Sequence, residues 1–296
     1  MLTKTQCPSR REIRNPEFPL VSCGSDGETK VVKIGDRPFG GQMFSVIAGP
    51  CAVESEELIF EAAKMVRSLG AVVLRGGAFK PRTSPYSFQG LGLPGVEIMH
   101  QASRQHDIPF VTEVMAPRWV EEMEPLVDAF QVGARNMQNV ELLREVGRSD
   151  RPVVLKRSFG ATVEEWVLAA EYIAQEGNEE IILCERGIRG FGEATRFTLD
   201  LAGAMWARHE TKLPVIADPS HAIGSPHLIG GAAAATAAAG LDGLMIEVHP
   251  QPAQARCDAE QLLEGRDFAA LMDRLRPVVA AVGRCLTNSA SPARSW

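Results

Sequence analysis

A chain of 296 residues with 45% hydrophobic content can bury one large core, and α/β barrels reach this size as a single domain. The formal net charge of -6 excludes a general binder of nucleic acid or anionic membrane, which would carry a basic excess or a basic face. Six scattered cysteines, an N-terminus without an apolar signal core and the lack of any run of membrane-spanning length point to a reduced, cytoplasmic protein.

In chain order, residues 1–30 are polar and aperiodic and are expected to be poorly ordered. Residues 31–41, VVKIGDRPFGG, read as a small hairpin turning at Gly35 and Asp36. A rhythm then begins. Short apolar strands recur at 44–50, 71–76, 109–114, 128–133, 152–157, 180–186, 213–221 and 243–250. Between them lie segments of helical period, among them SEELIFEAAKMVRSLG, LPGVEIMHQASRQ, TVEEWVLAAEYIAQEG and AEQLLEGRDFAALMDRLRPVVAAVG. Strands alternating with helices predict parallel pairing through crossovers, and about eight such units predict an α/β fold, a (β/α)8 TIM barrel over residues 42–286. The last ten residues, 287–296, are expected to be disordered.

On a barrel the residues at the C-terminal ends of the strands meet at one rim, where active sites form. Those ends carry Cys51, Arg75, Glu113, Arg135, Lys156 with Arg157, Glu185 with Arg186, Asp218 with His221, and Glu247 with His249. After the second strand, RGGAFKPRTSPYSFQG adds Lys80 and Arg82, hydroxyls from Thr83 and Ser84, and the close approach that Gly76 and Gly77 permit. Arg75, Lys80, Arg135, Lys156 and Arg186 thus converge on one place in an acidic chain. Guanidinium forks bind phosphate bidentately and an ammonium meets a carboxylate, so the cluster suits a small phosphorylated, carboxylated substrate. A second set, Cys51, His221, Glu247 and Asp258, combines thiolate, imidazole and two carboxylates, the donors of a site for Mn, Fe, Co or Zn. The four lie far apart in sequence and match no compact finger pattern.

The runs GPCAVES, RGGAFKPRTSPYSFQG, QVGARNMQN, VVLKR, ILCERGIR, ADPSHAIG and IEVHP, in this order, resemble the type I 3-deoxy-D-arabino-heptulosonate 7-phosphate (DAHP) synthases of the β subgroup. The resemblance spans residues 31–285 and implies a metal-dependent transferase. It would condense phosphoenolpyruvate with D-erythrose 4-phosphate, the first step of the shikimate pathway towards chorismate and the aromatic amino acids. It further implies a divalent metal on Cys51, His221, Glu247 and Asp258. Phosphoenolpyruvate would sit on Arg75, Lys80, Arg135, Lys156 and Arg186 beside the Gly133–Ala134 backbone. The KPRT run, Lys80 to Thr83, would hold the aldose phosphate through Arg82 and Thr83, with Ser84 as a further substrate-binding residue and Lys80, Cys51 and His221 as catalytic residues. The expected assembly is a homo-oligomer, dimer or tetramer. RSFGAT and GIRGFGEATRF depart from the family's usual loops, which bears on substrate preference more than on reaction class.

Two other readings compete. A 3-deoxy-D-manno-octulosonate 8-phosphate synthase would use arabinose 5-phosphate and is expected to carry a KANRS-like run where this chain has KPRTS. A non-catalytic barrel partner of another shikimate-pathway protein would have no need of intact cation and metal sets. If Arg82 grips the aldose phosphate, Arg82→Ala should raise the KM for erythrose 4-phosphate by the equivalent of about 2–3 kcal/mol and barely move that for phosphoenolpyruvate. Equal losses on both substrates in steady-state kinetics would assign Arg82 to loop organisation instead. Only about 30 residues precede the hairpin, too few for a regulatory domain with its own core, so Phe, Tyr and Trp are not expected to inhibit the isolated chain.

Overall fold

The computed structural model describes residues 15–23, 29–81 and 84–287. Strands β1 (Val32–Ile34) and β2 (Arg37–Phe39) pair antiparallel, turning through Gly35 in the left-handed region at φ 59°. The barrel strands follow: β3 (Met43–Gly49), β4 (Val73–Arg75), β5 (Phe110–Glu113), β6 (Ala129–Val132), β7 (Val153–Lys156), β8 (Ile181–Glu185), β9 (Val215–Ala217) and β10 (Gly243–Glu247). Each pairs parallel with the next, and β10 returns to β3 in the register Gly243↔Ser45 to Glu247↔Gly49, which closes the cylinder. The eight-stranded barrel and its N-terminal hairpin are those expected from the sequence.

Helices join the strands: α1 (Glu56–Ser68), α2 (Leu93–His106), the short α3 (Val120–Met123), α4 (Val140–Arg148), α5 (Val163–Gln175), α6 (Leu201–Glu210), α7 (Pro219–Ile223), α8 (Pro226–Ala238) and α9 (Gly265–Ala281). Their starts are written locally. Ser55 caps α1 by accepting from Leu58 N, and Thr162 with Glu165 forms a reciprocal capping box on α5. Two boundaries differ from the sequence expectation. The segment 213–221 is strand only to Ala217; Asp218 then caps α7 and Pro219 opens it. The last helix begins at Gly265, because residues Ala259–Gln261 make a single 3-10 turn.

Side-chain alternation separates two cores. Phe44, Val46, Ala48, Phe110, Val153, Leu155, Ile181 and Leu183 face the helices. Ile47, Val73, Val111, Ala129, Val154, Ile182, Ile216 and Met245 fill the barrel, and Val32, Ile34 and Phe39 of the hairpin join them. The hairpin therefore plugs the floor of the barrel, at the end opposite the C-terminal rim. Burying Phe39 alone is worth about 1.5–3 kcal/mol.

Residues 15–23, inside the segment 1–30 expected to be poorly ordered, are packed against the barrel. Phe18 and Val21 are buried in the core, and the Glu171 carboxylate on α5 accepts from Leu20 N and Val21 N at 3.0 Å. Residues 1–14 and 24–28 lie outside the described residues. Thr287, the first residue of the expected disordered tail, is held in place: β11 (Cys285–Leu286) adds to the start of β3, and Thr287 Oγ1 bonds Ser45 Oγ at 2.7 Å. Residues 288–296 are outside the described set. No helix among the described residues is long and apolar enough to cross a membrane.

Candidate active site

The alternation that fills the barrel with Val and Ile changes chemistry at the rim. Continuing the inward rows upward gives Arg75 above Val73, Glu113 above Val111, Gln131 above Ala129, Lys156 above Val154, Asp218 above Ile216 and Glu247 above Met245. All six are buried. Above them opens a cavity of about 280 Å³.

Arg75, Lys80, Ser84, Gly133, Ala134, Arg135, Lys156 and Arg186, all nominated from sequence, line this cavity, as do His221 and Asp258. Arg82 and Thr83 lie outside the described residues. Sequence reasoning left Glu113, Gln131 and Arg196 without a role, and they also line it. Arg157 and Glu185, read as rim residues, point the other way. One residue out of phase with the inward row, they pair at 3.1 Å, with Asp200 joining Arg157 at 2.8 Å. Two glycines keep backbone close to the cavity: a Cβ on Gly133 would fall 1.9 Å from Glu113 Oε1, and one on Gly77 would fall 2.7 Å from Lys80 Cδ.

At the cavity's edge, donor atoms of Cys51, His221, Glu247 and Asp258 all lie within 4.8 Å of one another. Two metal–ligand bonds of about 2.0–2.3 Å nearly span that distance, and the mixed donor set suits a divalent ion of intermediate softness. Hydrogen bonds aim the donors. Asp218 Oδ2 takes His221 Nδ1 at 2.7 Å and Lys156 Nζ at 2.6 Å, so His221 turns Nε2 towards Glu247 Oε1, 3.3 Å away. A ligating imidazole is commonly held by a carboxylate in this way. Arg75 Nη1 meets Glu247 Oε1 at 2.9 Å, and Lys80 Nζ stands 3.1 Å from Cys51 Sγ and 3.0 Å from its carbonyl.

The protonation states follow from these neighbours. Burial pushes the His221 imidazole down to about 4, against the pull of Asp218 and Glu247, so it is neutral at pH 7. Burial opposes the Glu247 carboxylate, but His221 and Arg75 hold it below the usual carboxylate range. Asp258 is also held down: burial and Glu247 oppose its charge, while the Cys51 thiol and Lys80 favour it. The Cys51 thiol is pushed up, by a hydrogen bond with Cys257, by burial and by Glu247. Of the four ligating atoms only Cys51 Sγ therefore carries a proton at neutral pH. Binding of Mn²⁺ at pH 7 should release about one proton per ion, because a ligating thiol must ionise. Calorimetry in buffers of different protonation enthalpy measures that number; no proton, or two, would contradict the assignment.

A model of the DAHP synthetase I family matches residues 28–279. The chain belongs to that family. A phospho-2-dehydro-3-deoxyheptonate aldolase from Thermotoga maritima is 44% identical over 266 residues, 90% of this chain and 79% of its own. The crystal structure of a DAHP synthase from the same organism superposes with a TM-score of 0.87 at 43% identity, covering 90% of this chain and 78% of that one. A truncated form of the T. maritima DAHP synthase gives 0.85 at 39% identity, covering 92% of this chain and all of that one. More distant is a 2-dehydro-3-deoxyphosphooctonate aldolase from Alkalilimnicola ehrlichii, 32% identical over 243 residues, 75% of this chain and 84% of its own.

Proposed function

We propose that this DAHP synthase family member is a 3-deoxy-7-phosphoheptulonate synthase, joining phosphoenolpyruvate to D-erythrose 4-phosphate to give DAHP and phosphate. The observation that carries the reading is one cavity that combines converging cations with a metal-competent donor set at its edge. The phosphooctonate reading is the weaker, since the relative named for that activity is at 32% identity against 44% for the heptonate enzyme.

Arg75, Lys80, Arg135, Lys156 and Arg186 receive the trianionic phosphoenolpyruvate, its phosphate on guanidinium groups and its carboxylate within reach of a lysine. Arg135 is exposed and has no ion-pair partner among the described residues, and Arg186 is the most available of the buried ones. It is buried, its hydrogen bonds to the Gly187 and His221 carbonyls are long at 3.5 Å, and its guanidinium lies 4.5 Å above the Phe197 ring. Cys51, His221, Glu247 and Asp258 hold the divalent ion, which when bound supplies Lewis-acid polarisation of the aldehyde carbonyl.

The cavity holds the two substrates so that C3 of phosphoenolpyruvate faces the aldehyde carbon, replacing a bimolecular encounter with a positioned one. As the C–C bond forms, the aldehyde oxygen takes a proton and positive character develops at C2. Lys80 stands beside the donor set. Burial opposes its charge, but Cys51, once ionised as a ligand, and Glu247 more than restore it, so it enters as an ammonium able to donate that proton. Water adds to C2, and the C–O bond to phosphate breaks to leave the ketone of DAHP and inorganic phosphate. Product formation from the two substrates, with phosphate release monitored, tests the proposal. The enzyme is further proposed to work in the cytoplasm as a homo-oligomer, dimer or tetramer.

A further inference from the structure

We propose that Gln261 is a positioning residue for the metal ligand Glu247, and that Arg196, on the loop beyond β8, sets the direction in which the Gln261 amide faces. The inference rests on the metal reading above and adds two residues to it.

Gln261 closes the single turn Ala259–Gln261 and is 4% exposed. Its side chain bridges two groups: Arg196 Nη1 donates to Gln261 Oε1 at 2.7 Å, and Gln261 Nε2 donates to Glu247 Oε2. The orientation is forced by chemistry. A guanidinium has no acceptor, so only the carbonyl end of the amide can face Arg196, and the NH₂ end must then face the carboxylate. Glu247 thereby has both oxygens tied, Oε1 by Arg75 and Oε2 by Gln261, which fixes the rotation of a carboxylate that would ligate the ion. Without Arg196 the Gln261 carbonyl loses its donor, and the amide is held at one end only, by the carboxylate it is meant to position.

Arg196 is placed independently of this contact. Its backbone N–H bonds the Ile223 carbonyl at 3.0 Å, and the next residue bonds Ala222 at 2.7 Å, so shortening the side chain leaves the loop anchored. Arg196 also lines the substrate cavity, so the bridge connects a substrate-facing loop to a metal ligand.

The sign of one effect separates this arrangement from simple electrostatics. Removing a nearby cation should tighten binding of a divalent ion through charge alone. The bridge predicts the opposite. Mn²⁺ affinity is read from the EPR signal of the free ion in titrations of wild type, Gln261→Leu, Arg196→Met and the double variant, with circular dichroism confirming the fold. Gln261→Leu is expected to bind Mn²⁺ roughly 10- to 100-fold more weakly, the usual loss on removing a group that orients a ligand. Arg196→Met is expected to bind it more weakly than wild type, and the double variant no more weakly than Gln261→Leu alone, since both act through one amide. Wild-type affinity in Gln261→Leu, or tighter binding in Arg196→Met, would overturn the proposal. Should Gln261→Leu not fold, the sign of the Arg196→Met effect still decides it. Failure of the wild type itself to bind Mn²⁺ would overturn the metal reading instead.

Discussion

Stripped of divalent metal by a chelator, the protein is expected to lose about 10³-fold in turnover and to recover on addition of Mn²⁺ or Co²⁺. Lewis-acid polarisation of a carbonyl is worth several kcal/mol, and about 4 kcal/mol corresponds to three powers of ten. No side chain replaces it. The cations beside the donor set already have partners: Arg75 is paired with Glu247, Lys156 with Asp218, and Lys80 is hydrogen-bonded to Cys51. Cys51→Ser should weaken binding of Co²⁺ and Zn²⁺ more than that of Mn²⁺, because the softer ions gain more from thiolate. Turnover numbers before and after chelation, with metal content measured on the same samples, check the prediction.

Asp218→Ala is expected to damage stability and metal binding together. Asp218 is fully buried, and its Oδ2 is shared by Lys156 and His221 while Oδ1 accepts from the His221 backbone. Its loss leaves the Lys156 ammonium buried without that partner, at a cost of about 3–5 kcal/mol. It also frees the His221 ring, lowering metal affinity roughly 10- to 100-fold. Burial alone would raise the Asp218 carboxyl, but His221 and Lys156 hold it well below the usual carboxylate range. A depressed folded-state pKa stabilises above the unfolded value, near 4, and that contribution is lost as the pH falls towards the folded value. The stability gap between wild type and Asp218→Ala in chemical denaturation should therefore be full at neutral pH and shrink below about pH 4. A gap that grows on acidification would contradict the pairing.

Much of this architecture was legible because it is written in local periods. Apolar strands alternate with helical segments, and the position of each strand's end brings Cys51, Arg75, Lys156, Arg186, His221 and Glu247 to one rim. Asp218 stood in view three residues before His221. The signal that would have assigned it is the Asp-Pro pair, a helix cap followed by a proline suited to the first turn, which places the carboxylate against the histidine. Reading that segment as strand through to His221 hid the relation. Gln261 and Arg196 were not legible for a different reason. Gln261 reads as part of the last helical segment and Arg196 sits in an aperiodic loop, and their contact joins segments 65 residues apart, a distance no local pattern crosses. The hairpin was recognised from its turn, but its use as the barrel's floor depends on Val32, Ile34 and Phe39 meeting the inner row, which only the closed cylinder reveals. Likewise Glu171 reads as one more exposed helix residue until the backbone of Leu20 and Val21 is laid against it.

Phosphate release from phosphoenolpyruvate tests most directly whether this cavity makes DAHP with the help of a bound ion. The purified protein would be assayed with erythrose 4-phosphate and with arabinose 5-phosphate, each with and without chelator. Rapid, chelator-sensitive release with erythrose 4-phosphate and little with arabinose 5-phosphate is the predicted result. Preference for arabinose 5-phosphate, or undiminished turnover in protein shown to be free of metal, would contradict it.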